Sequence, residues 1–188
     1  MAYYVRKIAR AKWALLDKTA EKKIENYRAD TIANDMRTSG DKLSFWKAES
    51  LEPDSFDPVV VINSLMGDNI KPIHLICIPE ELLSSYNLVQ VDGDTIVHEY
   101  KKLHHDLGSF TVKRLVDFSR DIILHVLSLS ESHPEENKYV RRYNEKQQLE
   151  LIDQWLNSGK IKFEELKTDQ MKAVSNYREK KSRSSQSS

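Results

Sequence analysis

The groups best suited to proton transfer or metal binding in this chain are concentrated in one nine-residue stretch, 98–106. The stretch contains three of the chain's six histidines and two carboxylates. An imidazole titrates near neutral pH, and a carboxylate can orient its ring by accepting the second ring N–H. His104, His105 and Asp106 are therefore the candidate catalytic centre of a small hydrolase or toxin-like enzyme that acts on nucleotides or nucleic acid.

The spacing of these residues does not match a metal signature. His104 and His105 are adjacent, whereas metal motifs on helices place their two histidines one turn apart. Arg37 begins the turn sequence RTSG and is the candidate for holding a phosphate. The chain has only five glycines and none of the glycine-rich phosphate signatures. We therefore predict neither a metal nor a cofactor.

The composition limits the class of protein. The chain has 188 residues, of which 39% are hydrophobic, and its formal net charge is zero. Cys77 is the only cysteine, so the chain can form neither an internal disulfide framework nor a thiolate zinc site. We expect a reducing, cytoplasmic location. No apolar run reaches the roughly 20 residues that span a bilayer, so no membrane contact is expected.

Hydrophobic periodicity predicts an α+β fold, with a mixed sheet of about five strands packed by helices. The first strand could lie at the sheet edge, and the apolar run 72–78 is expected at the sheet centre. An Asp-Gly pair at 92–93 between two alternating segments predicts a β-hairpin. The strands are expected at 3–8, 43–47, 72–78, 88–91 and 95–98, and helices are expected to begin at Asp57-Pro58 and at Ser109.

The chain is expected to divide into an α+β core domain (1–130), a helical C-terminal extension (131–181) and a disordered tail (182–188). The extension carries residue types that often anchor protein interfaces, and these side chains could pack on their own domain or contact a partner. The candidate partner-binding residues are Tyr143, Ile152, Trp155 and Leu156. The function we favour is a non-catalytic interaction protein, an accessory or adaptor subunit of a cytoplasmic multi-protein complex. It would dock through this helical region on a protein partner or on a second copy.

A third hypothesis is a nucleic-acid-binding regulator. Both ends of the chain are basic, and cationic side chains alone can bind phosphates. The chain shows no recognition motif for nucleic acid. The candidate contacts are Arg6, Lys7, Lys180, Lys181 and Arg183.

Overall fold

A computed structural model describes residues 1–9, 26, 35–36, 38–124 and 139–186. Six strands form one sheet in the order β4-β5-β2-β1-β3-β6. Their bounds are β1 Tyr3–Ile8, β2 Leu43–Ala48, β3 Ile73–Pro79, β4 Asn87–Gln90, β5 His104–Gly108 and β6 Val140–Tyr143. The predicted α+β class is confirmed. The sheet has one strand more than the predicted number, and each pairing among the described strands is antiparallel.

Four α-helices and three short 3-10 turns are described. The helices are α1 Pro53–Leu65, α2 Val112–Ile122, α3 Glu145–Asn157 and α4 Thr168–Gln186. Glu52 is the N-cap residue of α1, so the predicted start at Asp57-Pro58 is wrong and Pro58 lies inside the helix. Pro53 takes the first helical position, which tolerates proline because its N–H would have no helical partner. The cap of α2 is Thr111, whose side chain accepts a hydrogen bond from Arg114 N, and not Ser109.

The sheet has a helical layer on each face. Because successive side chains of a strand point to opposite faces, β1, β2 and β3 each contribute to two separate apolar clusters. One cluster joins β1, β2 and β3 to α1, α3 and α4. The other joins the opposite face of the same strands to α2 and to the 3-10 turn Glu80–Leu83. Strand β1 pairs with both β2 and β3, so it is an inner strand and not an edge.

The predicted hairpin around Gly93 does not form. Strand β4 is present, but its partner is β5, and the 3-10 turn His98–Leu103 occupies part of the expected second strand. Gly93 is needed for close packing and not for a positive φ. A Cβ at this position would lie 2.3 Å from Trp46 Cη2 and 2.7 Å from His104 Cβ. The Asp-Gly pair thus marks a segment that lies directly on the sheet.

The C-terminal region differs from the predicted helical extension at its beginning and its end. Val140 and Tyr143 were expected on the apolar face of a helix, but residues 140–143 form β6 and pair with β3. Residues 182–186, predicted to be disordered, belong to the last turns of α4. The division at residue 130 stays a prediction, although residues on both sides of it share one sheet.

Two buried glutamines hold the C-terminal helices to the rest of the fold. Gln148 Nε2 of α3 donates to Lys71 O at 2.8 Å and to Tyr143 O at 3.1 Å. Gln170 Nε2 of α4 donates to Leu65 O at 3.1 Å and to Gly67 O at 2.6 Å. The second glutamine therefore satisfies carbonyl groups at the C-terminal end of α1, where intrahelical donors are absent.

Candidate ligand-binding site

The two adjacent histidines of the predicted catalytic centre lie on opposite faces of the sheet. His104 and His105 both belong to β5, where neighbouring side chains alternate. The His104 ring contacts Trp46 on the α1 face, with 4.9 Å between ring centroids. The His105 ring contacts Tyr4 on the other face at 5.3 Å, and its Nδ1 donates to Leu103 O. The prediction that both histidines act in one centre is therefore wrong.

His104 and Asp106 remain together on the α1 face. Asp106 Oδ1 accepts a hydrogen bond from Ser44 Oγ at 2.9 Å and lies 4.0 Å from His104 Nε2. Lys42 Nζ lies 3.9 Å from the other carboxylate oxygen. The carboxylate is thus held by β2 and lies just beyond hydrogen-bond distance of the imidazole.

The environment of His104 favours its neutral form. Burial lowers the pKa of His104, nearby His105 lowers it further, and the Asp106 carboxylate opposes the shift. The Nδ1 atom of His104 is buried and has no hydrogen-bond partner among the described residues. Buried polar atoms in folded proteins nearly always have a partner, so this nitrogen is an exception among the described residues.

His104 lines a cavity of about 210 Å³ between the sheet and the C-terminal end of α1. We call this the α1 cavity; its lining residues are Val5, Arg6, Lys7, Ser44, Trp46, Asn63, Met66 and His104. Val5, Trp46 and Asn63 are buried, whereas Lys7, Ser44 and Met66 are exposed. The first three therefore form the floor of the cavity, and the exposed three surround its mouth.

The two basic residues of β1 differ in what they can offer a ligand. Arg6 donates from Nε to Asp35 O at 2.6 Å and from Nη1 to Ser44 O at 2.7 Å. Its guanidinium therefore links β1 to β2 and to the backbone at Asp35. Lys7 makes no ion pair among the described residues, and burial by its surroundings lowers the pKa of its ammonium group. Lys7 is thus the cation at the mouth of the cavity.

A larger groove of about 490 Å³ lies on the opposite face of the sheet. Its lining includes Met1, Glu80, Glu81 and Asn87, all of which are exposed. Size alone does not make a binding site, because a functional pocket combines apolar walls with a few converging polar groups. The smaller α1 cavity has that combination.

The candidate partner-binding residues are mostly used within the fold. Ile152 and Trp155 of α3 are buried in the cluster that contains α1, so neither is available on the surface. Tyr143 stacks on Phe56 with 6.3 Å between ring centroids, and Leu156 is half-buried against the same cluster. These anchor-type side chains join α3 and β6 to their own domain.

The basic candidates for nucleic-acid contact are partly engaged with carboxylates. Lys181 Nζ lies 3.2 Å from Asp153 Oδ2, and Arg183 forms an ion pair with Glu179. Lys180 is exposed on α4. Arg37, the predicted phosphate-binding residue, lies outside the described residues.

Sequence reasoning found His104 and Lys7 but assigned them to different functions, and it missed Ser44, Trp46 and Asn63. One signal was present: Asn63 is a polar residue within the apolar run of α1 and is buried. Its Nδ2 donates to Val59 O at 2.8 Å, which leaves one amide hydrogen and the carbonyl oxygen for a ligand. Over the described ranges, no three His, Cys, Asp or Glu side chains are grouped closely enough to hold a metal ion.

Comparison of the chain with protein family models, curated proteins and solved structures found no match. Within the part of the chain that the structure describes, no helix combines the length and the apolar character needed to cross a bilayer. Any functional conclusion therefore depends on the site itself.

Proposed function

We propose that the protein is a non-catalytic accessory protein that binds a small molecule in the α1 cavity. One observation carries the proposal: polar groups from β1, β2, β5 and α1 converge on a cavity whose floor is otherwise apolar. Two of these groups, Lys7 and His104, have pKa values lowered mainly by burial. Perturbed titratable groups in a concave apolar site are typical of ligand-binding and active sites.

The hydrogen bonds favour binding over catalysis. A hydroxyl nucleophile needs a base within hydrogen-bond reach to take its proton. The Ser44 hydroxyl donates to Asp106, and no described hydrogen bond joins it to His104. With His105 on the other face, the arrangement expected of the hydrolase hypothesis is not assembled. The groups around the α1 cavity can orient and bind a ligand without transferring a proton.

A nuclear magnetic resonance screen of small organic molecules tests this function. We expect a binder to shift the Trp46 indole N–H, the Asn63 side-chain amide and the Met66 methyl together. Asn63→Leu fills part of the cavity and removes the amide, so it should abolish binding. Asn69→Leu changes an exposed asparagine near the same helix end and should not. The proposal is wrong if binders shift other regions only, or if both variants bind equally.

We also propose that the protein docks on a protein partner through α2, and not through the C-terminal helices. Val112 is 84% exposed and Val116, one turn later, is 39% exposed, so they form an apolar row on the outer face of α2. The opposite face of α2 packs into the core through Phe118 and Ile122. Such a row fits an apolar groove on another protein.

A double substitution, Val112→Asp with Val116→Asp, tests the docking surface. Both side chains are exposed, so the variant should keep its unfolding temperature and lose the partner that the wild type captures at fixed stoichiometry. The control is Asn176→Asp with Lys180→Asp, a pair with the same spacing on the exposed face of α4. Retention of the partner by the α2 variant and its loss in the α4 variant would reverse the assignment.

The cytoplasmic location is part of this proposal. Cys77 is a free, buried thiol, and burial raises its pKa to about 12. A thiol held protonated in the core is compatible with a reducing compartment and is not a reactive nucleophile.

A further inference from the structure

We propose that the ligand of the α1 cavity is a small organic anion, in which a phosphate or carboxylate group is attached to an apolar body. This inference rests on the proposed function and adds the chemical class of the ligand. It follows from the charges around the cavity, from the hydrogen-bond donors in it and from its size.

The charge at the cavity is positive. Lys7 and Arg6 are the cationic residues among its lining, and none of the described lining residues carries a carboxylate. Arg6 is turned to carbonyl groups of the chain, so the ammonium group of Lys7 is the charge that a ligand meets. Although Lys7 is exposed, its surroundings remove part of the water around its ammonium group and lower the pKa of that group. An anionic ligand would compensate that loss, whereas a cationic ligand would be repelled.

The Asp106 carboxylate interacts with two lining residues of the cavity, Ser44 and His104. Asp106 is not part of the cavity lining, and its Oδ1 lies 4.0 Å from His104 Nε2. The Ser44 hydroxyl donates to it, and Lys42 lies 3.9 Å away. The Ser44 hydroxyl and the Lys42 ammonium group therefore partly offset the negative charge of Asp106.

Donors suited to an oxyanion are present. Asn63 has one amide hydrogen that is not used in its bond to Val59 O. His104 contributes part of its ring to the cavity wall, but its Nδ1 is buried and is not counted among these donors. Lysine commonly contacts phosphates as a point charge, and a carboxylate can accept the same bonds. The cavity therefore recognises the negative oxygens that these two groups share.

The size of the cavity sets an upper limit on the apolar body. Its volume of about 210 Å³ corresponds to roughly seven water molecules, at about 30 Å³ each. That is below the roughly 300 Å³ at which pockets for drug-sized ligands begin. The enclosed part of the ligand is therefore about one aromatic or aliphatic group beside the anion.

A series of benzene derivatives with different charges tests the inference on the full chain. The probes are phenyl phosphate, benzoate, benzyl alcohol and benzylamine, with inorganic phosphate and acetate added to measure the contribution of the anion alone. Binding is followed through the Trp46 indole and Asn63 amide resonances. We expect phenyl phosphate or benzoate to bind at least tenfold more tightly than benzyl alcohol, and benzylamine to bind least. The ratio between the two anions distinguishes a phosphate ligand from a carboxylate ligand.

Substitutions of Lys7 identify the cation responsible. Lys7→Met should weaken anion binding by about tenfold or more, because it removes a charge-assisted hydrogen bond. Lys7→Arg keeps the charge and should retain most of the affinity. Lys102→Met is the control, since Lys102 is exposed and not part of the cavity lining. Unfolding curves of all three variants show whether a loss of binding reflects a loss of folding.

Two kinds of failure are distinguishable. If benzyl alcohol or benzylamine binds the cavity as tightly as the anions, the cavity is a ligand site but its proposed ligand class is wrong. The same conclusion follows if Lys7→Met binds the anions as the wild type does. If no probe and no screened molecule shifts the cavity resonances, the proposed function and this inference both fail.

Discussion

Gly93 is the position at which a single methyl group tests the packing beneath the α1 cavity. In Gly93→Ala the new Cβ would lie 2.3 Å and 2.9 Å from Trp46 ring carbons and 2.7 Å from His104 Cβ. Carbon atoms in ordinary contact are about 3.5–4.0 Å apart. Neither neighbour can move away by turning a flexible chain end, because one is a buried indole and the other is attached directly to the backbone.

The expected cost follows from two opposing effects. Overpacking of a well-packed core costs about 1–3 kcal/mol. Replacing glycine by alanine also restricts the unfolded chain, which returns about 0.4–1 kcal/mol. The free energy of unfolding should therefore fall by about 1–2 kcal/mol. For a chain of this size the unfolding temperature should fall by about 2–8 °C.

Gly108→Ala is the matched control, since a Cβ at Gly108 would meet no atom within 4 Å. Urea unfolding, followed by far-ultraviolet circular dichroism, should show this variant as stable as the wild type or slightly more stable. The reasoning is refuted if Gly93→Ala is as stable as the wild type, or if the two variants lose the same stability. Either result would mean that residue 93 does not lie on Trp46.

Three further predictions concern charged and titratable groups. Burial alone would raise the pKa of Asp153, but hydrogen bonds and charges from Arg178 and Lys181 lower it. The Asp153 side chain is 5% exposed, so Asp153→Asn should lower the free energy of unfolding by about 2 kcal/mol at pH 7. The difference between the variant and the wild type should disappear as the pH falls below about 4. The control is Asp169→Asn, which removes the exposed ion pair with Lys172 and should lower the free energy of unfolding by under about 0.5 kcal/mol. Equal losses for the two variants in urea titrations would contradict the prediction. His104 has a lowered pKa, so the unfolded chain binds the proton more tightly and wild-type stability should rise with pH up to about 6.5. His104→Gln should lack that rise. A wild-type His104 ring that titrates at or above pH 6.5 by nuclear magnetic resonance would refute the lowered pKa. Lys7→Met should be as stable as the wild type or more stable, because desolvation disfavours the charged form of Lys7. A lower unfolding temperature of the variant would contradict this prediction.

The elements that the sequence predicted well are those in which local pattern and tertiary packing agree. The apolar run at 73–78 forms a buried strand, and alternation around Phe45 correctly indicated β2. Two proline-containing segments could begin α1, and the choice between Pro53 and Pro58 depends on how the helix packs. The pattern within the run Phe56–Leu65 does not decide it, since those positions are buried except Asp57.

Other features depend on contacts between distant residues and could not be predicted from local pattern. Val140–Tyr143 is too short to distinguish a strand from a helical turn, and its pairing with β3 determines its conformation. The α1 cavity needs Lys7, Asn63 and His104 from three separated segments, and only the register of the sheet brings them together. The opposite orientation of His104 and His105 was predictable once β5 was known to begin there, but the expected hairpin placed that strand too early.

The central claim is that the α1 cavity is a binding site, and the most direct measurement is of magnetisation transfer from a bound ligand to labelled side chains. The sample is the full chain with labelled methionine methyl and tryptophan ring groups, saturated with the benzene-series probe that binds most tightly. We predict transfer between the probe's ring protons and both Met66 and Trp46. Transfer only to Met1, which lines the larger groove on the opposite face, would contradict the claim.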